Sequence, residues 1–282
     1  MPAAKSPKIS IVMPIYKPDM EVLEKVRARI KNQTIKSEVI ENWNMPEAKS
    51  LNICIKKAKG GIIVVLEQDC LPRDEKWLEK ITKPMEDQEV VVSVSDMYTP
   101  EWYWKKYSFL TRMLTFKELE IARPTMDARA CAFRKRDLMN VGLFNEDPKV
   151  IGIDSDMYVK IKKLGKIVHT GCFIEHLHWL TPKKRLKMFY DYSESNGKIV
   201  RKYGSEINAV WRRVLRAIPV LGLPSIFLKF PYAKYFYYFP LFVPAALAEH
   251  VVWIYGFWMG FFSNRVSSRN LQALKNESQN LE

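Results

Sequence analysis

The sequence predicts an α/β fold built on a central, mostly parallel sheet and followed by an apolar helical tail. Three observations predict it. Ile62-Ile63-Val64-Val65-Leu66 is an unbroken, β-branched run, the pattern of a strand buried on both faces. Segments with helical apolar spacing alternate with such runs down to about residue 205. From Phe236 to Phe262 the only charged side chain is Glu249, beside His250.

In chain order, Lys8–Tyr16 reads as a first strand with Pro14 near its end. Asp19 is placed to cap a helix whose apolar face is Val22, Leu23, Val26 and Ile30. Glu38–Glu41 reads as a short second strand. Pro46 suits the first turn of a helix. Ala48, Leu51, Ile55 and Ala58 share that helix's buried face, and Gly60 suits its stop. The Ile62–Leu66 strand follows, then a helix from about Asp74 to Met85 and a strand over Val90–Val94. Between Ser95 and Arg129 the pattern loosens around Trp102, Tyr103, Trp104, Tyr107 and Phe109. Helices are predicted over Lys135–Val141 and Ile153–Leu164, the second stopped by Gly165. Lys166–His169 is a short strand, and Lys183–Tyr203 a long amphipathic helix ending at Gly204. Val214–Leu228 is apolar apart from Arg216 and Ser225. Composition therefore divides the chain into a domain over residues 1–205 and a basic, apolar tail over 206–282.

The 282 residues are 48% hydrophobic, enough for a real core, and carry a formal charge of +14. That charge favours phosphates, acidic lipid or nucleic acid as partners. Lys183, Lys184, Arg185 and Lys187 form one basic cluster and Arg212, Arg213 and Arg216 another, beside the tail, with Arg265, Arg269 and Lys275 beyond it. Tyr16-Lys17-Pro18-Asp19 is not the glycine-rich loop of a nucleotidyltransferase. No nucleic-acid motif is present, so nucleic acid is not an expected partner; a non-catalytic basic protein binding nucleic acid or membrane is the alternative. An apolar stretch flanked by basic residues and bearing Trp253, Tyr255 and Trp258 suits a membrane interface, on the cytoplasmic side. Cys54, Cys70, Cys131 and Cys172 show no metal-ligand spacing and read as reduced thiols. Met1–Lys8 has no apolar run, so no cleavable leader is expected.

The Ile62–Leu66 strand ends in Glu67-Gln68-Asp69. Ligands of open α/β sheets bind at the carboxyl ends of strands. Two acids there repel one another unless a cation lies between them. They are either solvated turn residues or a site for a hard divalent ion and a diphosphate. His176 and His178, two residues apart, would share one face of a strand.

Taken in order, these segments resemble family-2 glycosyltransferases of the GT-A fold over roughly residues 8–180. Ile9-Ser10-Ile11-Val12-Met13-Pro14-Ile15-Tyr16 is similar to the family's first strand. Ala48-Lys49-Ser50-Leu51-Asn52 with Ala58-Lys59-Gly60-Gly61 is similar to the helix before its metal motif, and Glu67-Gln68-Asp69 stands where the family carries Asp-x-Asp. Ala132-Phe133-Arg134-Lys135-Arg136-Asp137-Leu138, Val141-Gly142-Leu143-Phe144-Asn145-Glu146 and Gly152-Ile153-Asp154-Ser155-Asp156-Met157 keep the family's order; its Glu-Asp-x-Asp reads Ile-Asp-Ser-Asp here. The resemblance implies inverting transfer of a sugar from a UDP- or GDP-sugar, with Mn²⁺ or Mg²⁺, to a lipid-linked or other glycan acceptor. It implies Asp69 and Glu67 as metal ligands with His176 preferred over His178, and Asp154 as general base against the plain alternative of a helix cap. Pro14, Tyr16, Glu41 and Asn52 would line the nucleotide, Glu41 standing in for a missing Asp. Arg129 and Arg134 would reach a phosphate, as would Lys198, Arg201 or Lys202. Asp156 would cap its helix.

Overall fold

The computed structural model describes residues 9–119, 126, 129–147, 152–207, 209–228 and 230–263. Strands β1 (Ile9–Ile15), β2 (Glu38–Trp43), β3 (Ile62–Leu66), β4 (Cys70–Pro72), β5 (Val90–Tyr98), β6 (Ala130–Arg134) and β7 (Lys166–His176) form one sheet in the order β2-β1-β3-β6-β5-β7-β4. The α/β class is as expected, but the sheet is mixed. β1 pairs parallel with β2 and β3, and β5 with β7, whereas β6 runs antiparallel between β3 and β5 and β4 antiparallel on β7. Nothing in Ala-Cys-Ala-Phe-Arg announces a strand direction, so the reversal at β6 is invisible to pattern.

Successive residues of β1 and β3 point to opposite faces, and each face has its own cover. Helix α1 (Met20–Lys31), capped by the Asp19 carboxylate, lays Val22, Leu23, Val26 and Ile30 on the face of Ile11, Met13, Val64 and Leu66. Helix α2 (Glu47–Lys57) lays Leu51, Cys54 and Ile55 on Val12, Ile63 and Val65. Each large side chain so buried contributes about 1.5–3 kcal/mol.

Helix α3 (Trp77–Thr82) is shorter than predicted, because Pro84 has no N–H for the next helical bond and the chain tightens into a 3₁₀ turn over Lys83–Glu86. β7 is longer than predicted. The ladder with β5 skips at Thr170-Gly171, from Val94 opposite His169 to Asp96 opposite Phe173. Gly171, at φ +66, takes the positive-φ position of that bulge. The loosened stretch holds two short helices, α4 (Glu101–Trp104) and α5 (Phe109–Thr115), which bury Tyr103, Trp104, Met113 and Leu114. Helices α6 (Lys135–Asn140), α7 (Ile153–Ile161) and α8 (Pro182–Tyr203) follow, then α9 (Val210–Arg216), α10 (Leu223–Phe227), α11 (Tyr232–Tyr235) and α12 (Phe239–Phe262).

The tail packs on the sheet-bearing part of the chain: Ile226, Phe230, Tyr235 and Phe242 join the same buried cluster as β1 and α1. α12 lies along α8 at close range. A Cβ on Gly197 would collide with the Phe257 carbonyl, one on Gly256 with the Ser193 hydroxyl, and one on Gly260 with the Glu194 carbonyl. The inner face of α12 is also charged. Lys117 Nζ donates to Glu249 Oε2 (3.1 Å) and Arg185 Nε to Glu249 Oε1 (2.9 Å), while Arg185 Nη1 donates to Glu118. Arg185, one of the basic cluster with Lys183, Lys184 and Lys187 in sequence, is thus buried. Arg216 stacks its guanidinium 3.9 Å from the centroid of the Trp253 ring. The outer face of α12 exposes Leu241, Leu247, Val251, Tyr255 and Phe262. Arg265, Arg269 and Lys275 lie outside the described residues.

Candidate active site

β3 ends at Leu66, and the acids follow at the carboxyl edge of the parallel strands. Glu67 N–H donates to the Arg129 carbonyl, and Gln68 turns away from both acids. Its side-chain oxygen accepts from Tyr16 N–H (2.8 Å) and its amide donates to the Tyr16 carbonyl (3.0 Å). This pair of hydrogen bonds ties the acid turn to the end of β1, where Lys17 bends the chain at φ +45. Asp69 then accepts, through its main-chain oxygen, the N–H of Leu177 (2.8 Å), which anchors the turn to the end of β7.

This anchoring brings the histidines to the acid. His178 Nδ1 lies 3.0 Å and His176 Nε2 3.5 Å from Asp69 Oδ2. The Asp69 side chain is only 15% exposed. Burial by itself would raise its pKa, but the charge and hydrogen bonds of His176 and His178 outweigh that and hold it well below the ordinary carboxylate range. Asp69 is therefore an anion throughout the neutral range. Cys70 stands directly across the β4–β7 ladder from His176. One donor atom from each of Glu67, Asp69, Cys70 and His176 falls within 4.8 Å of every other. Carboxylate oxygens and an imidazole nitrogen are a fitting donor set for Mn²⁺, and the oxygens for Mg²⁺. His178, which sequence ranked second, makes the shorter contact with Asp69. Gln68 and Cys70 were not singled out, since their partners sit on strands far away in sequence; only the two-residue spacing of the histidines pointed to a shared face.

The structure places the remaining candidates as follows. Pro14 lies opposite Asn42 near the end of β1, and Tyr16 is the residue held by Gln68. Arg129 precedes β6 beside Glu67, at the site edge. Arg134 ends β6 at the opposite edge, because β6 is antiparallel. Its guanidinium donates to the carbonyls of Met85 (2.7 Å), Asp87 (2.6 Å) and Val90 (3.2 Å), so it is a buried tie and not a phosphate ligand. Glu41 is likewise diverted: Arg27 takes its carboxylate with two nitrogens, one at 2.8 Å, and Trp43 Nε1 adds a third bond. Asn52 donates to the Phe144 carbonyl (2.9 Å) and to Glu146 (2.7 Å), and accepts from Phe144 N–H (3.0 Å), clamping the segment that leads toward α7.

Asp154 occupies the first turn of α7, half-buried, two residues after Gly152, which takes the N-cap at φ +82. Gly152 has no room for a side chain against Ile199 and Ser195 of α8. Asp156 is not a cap. It is buried and held by Lys160 (2.8 Å), Lys202 (2.9 Å) and the Tyr203 hydroxyl. Lys202 is spent on that contact and Lys198 on Glu194 (2.8 Å), while Arg201 reaches the Phe261 carbonyl.

Residues 22–142 match the family model described as glycosyl transferase family 2. Among solved structures, the chain is similar to the mannosyltransferase PcManGT from Pyrobaculum calidifontis in complex with GDP-Man and Mn²⁺. The TM-score is 0.52 at 14% identity, over 97% of this chain and 80% of that one. GalNAc-T7 with UDP, GalNAc and Mn²⁺ aligns at a TM-score of 0.49 and 14% identity, over 75% of this chain and 51% of that one. TarS 1-349 from S. aureus aligns at 0.44 and 10% identity, over 89% and 90%. A search of curated proteins by sequence finds no match.

Proposed function

We propose, from the match of residues 22–142 to the glycosyl transferase family 2 model together with the site at the carboxyl edge, that this chain is a glycosyltransferase that moves a sugar from a nucleoside-diphosphate sugar to an acceptor hydroxyl with inversion. One observation carries the reading: Asp69, three residues past the end of β3, is a half-buried anion beside His176, His178 and Glu67 at the carboxyl edge. Glu67, Asp69 and His176 are the residues that would hold Mn²⁺ or Mg²⁺. Such an ion, when bound, supplies Lewis acidity to a leaving diphosphate. The protein's own contribution is position. His178 orients the Asp69 carboxylate, and Gln68 fixes the acid turn against Tyr16, where a UDP- or GDP-sugar would lie.

Asp154 is the proposed general base. The N-terminal turn of α7 favours its ionised form, and it accepts the proton of the acceptor hydroxyl as that oxygen attacks the anomeric carbon from the face opposite the diphosphate. An acceptor phosphate needs no base, and Asp154 would then bind it.

The acceptor is proposed to be lipid-linked, with the enzyme resting on the cytoplasmic face of a membrane. Tyr232–Phe262 is the one helical stretch among the described residues long and apolar enough to cross a bilayer. Its inner face, however, is occupied by α8 and the Glu249 ion network, and α8 carries Lys187, Asp191 and Lys198. A helix so docked presents only its outer side, which fits a helix lying in the interface better than one crossing it. Exposed Arg212 would meet anionic lipid there.

The test is thermal denaturation against a panel of UDP- and GDP-sugars, with and without Mn²⁺. One nucleotide-sugar should raise the melting temperature in a metal-dependent way, and Asp69→Asn should abolish the shift. A panel with no metal-dependent shift would refute the reading.

A further inference from the structure

Cys70 belongs to the buried hydrophobic cluster by neighbourhood, and its spacing in sequence pairs it with no other ligand. The fold changes its company. β4 and β7 are antiparallel, and Cys70 opposite His176 is a direct cross-strand pair, so both side chains leave the same face. Its Sγ is 3.8 Å from Asp69 Oδ1, while the other oxygen of Asp69 faces the two histidines. Cys70 is fully buried, so the sulfur meets this cluster without bulk water between them.

Resting on the metal-site reading above, we propose that Cys70 is a sulfur donor of the Glu67–Asp69–His176 cluster and that thiophilic divalent cations, Zn²⁺ foremost, are held there in preference to Mg²⁺. Two carboxylates, an imidazole and a thiolate are the donors of a tetrahedral zinc site, whereas Mg²⁺ demands oxygen in octahedral array. Zinc–ligand distances of about 2.0–2.3 Å put four donors within about 4 Å of each other. The observed limit of 4.8 Å is less than about 1 Å beyond that spacing. Binding releases the thiol proton to solvent, since the thiolate is the ligand. Four protein donors make a closed site with no position left for a diphosphate oxygen. Zinc is therefore an inhibitor of this transferase, acting at the centre that Mn²⁺ or Mg²⁺ would serve.

Co²⁺ is the probe, titrated into the full chain and followed by absorption. The wild-type protein should develop the near-ultraviolet sulfur-to-cobalt charge-transfer band, and Cys70→Ser should bind Co²⁺ without it. The Cys54→Ala/Cys131→Ala/Cys172→Ala variant should keep the band, so the assignment does not depend on Cys70→Ser folding. Zn²⁺ should displace Co²⁺ at concentrations on the order of 100-fold below those of Mg²⁺. Co²⁺ bound to the wild type without the band, or a band that survives in Cys70→Ser, overturns the sulfur ligand while leaving the metal site standing. Failure of both Co²⁺ and Mn²⁺ to bind, by calorimetry, overturns the sulfur ligand and the metal-site reading together.

Discussion

Replacing Glu249 with glutamine removes the anion that Lys117 and Arg185 share. The side chains of Glu249, Arg185 and Lys117 are 1%, 3% and 7% exposed, so water cannot take over the missing partner. Taking one member from a buried ion pair costs about 3–5 kcal/mol, mostly the penalty of the charge left behind. Arg185 keeps Glu118, so the stranded ion is Lys117. Burial already lowers the Lys117 pKa, with Arg216 and Arg185 adding repulsion, and Glu249 is the group opposing that shift. The loss should fall at the lower end, about 3 kcal/mol, or a drop in Tm of about 6–12 °C for a chain of this size. Urea unfolding followed by tryptophan fluorescence measures it. Lys117→Met combined with Glu249→Gln should lose at least about 1 kcal/mol less than the sum of the single changes, because the stranded charge is gone. A Glu249→Gln cost below about 1 kcal/mol, the value of an exposed pair, would refute the claim that this network pins α12 to α8.

Asp154→Asn should lower transfer to a hydroxyl acceptor by about 10²–10⁴-fold while leaving donor affinity unchanged, as read by initial rates beside calorimetry of the nucleotide-sugar. A loss of donor affinity instead would remove Asp154 from the base role. For Asp156, burial alone would raise the carboxyl, but Lys160, Tyr203 and Lys202 together bring it down to about 2. A depressed carboxylate stabilises the fold above its ordinary pKa of 3.8, and that contribution vanishes as pH falls through about 2. Asp156→Asn should therefore cost about 2 kcal/mol at pH 7, with the gap to wild type closing between pH 4 and 2 in denaturant titrations. Gly260→Val should push α12 off the Glu194 carbonyl, raising protease sensitivity in the tail while β1–β3 stay protected in hydrogen exchange.

Much of the frame was legible because it rests on local signals. Asp19 announced α1, the β-branched run announced β3, and the acid pair after it fell at the carboxyl end of the parallel strands. What escaped depends on partners distant in sequence. The direction of β6 decides that Arg129 sits by Glu67 while Arg134 lies at the far edge, and no feature of Ala130–Arg134 encodes direction. Glu41 looked available because its partner Arg27 is on another element. Arg185 stood in a basic cluster among lysines, and only the docking of α12 supplies Glu249. Cys70 had no ligand spacing in the chain and acquired its neighbours through a ladder to residues more than a hundred positions later.

The pair of hydrogen bonds between Gln68 and the peptide groups of Tyr16 has a thermodynamic corollary. The two segments that flank the proposed donor are locked to each other by protein alone, so a nucleotide arriving there orders little backbone on that side. Its association should then carry a small conformational-entropy penalty, and Gln68→Ala, by loosening the seam, should weaken donor affinity chiefly through a less favourable binding entropy.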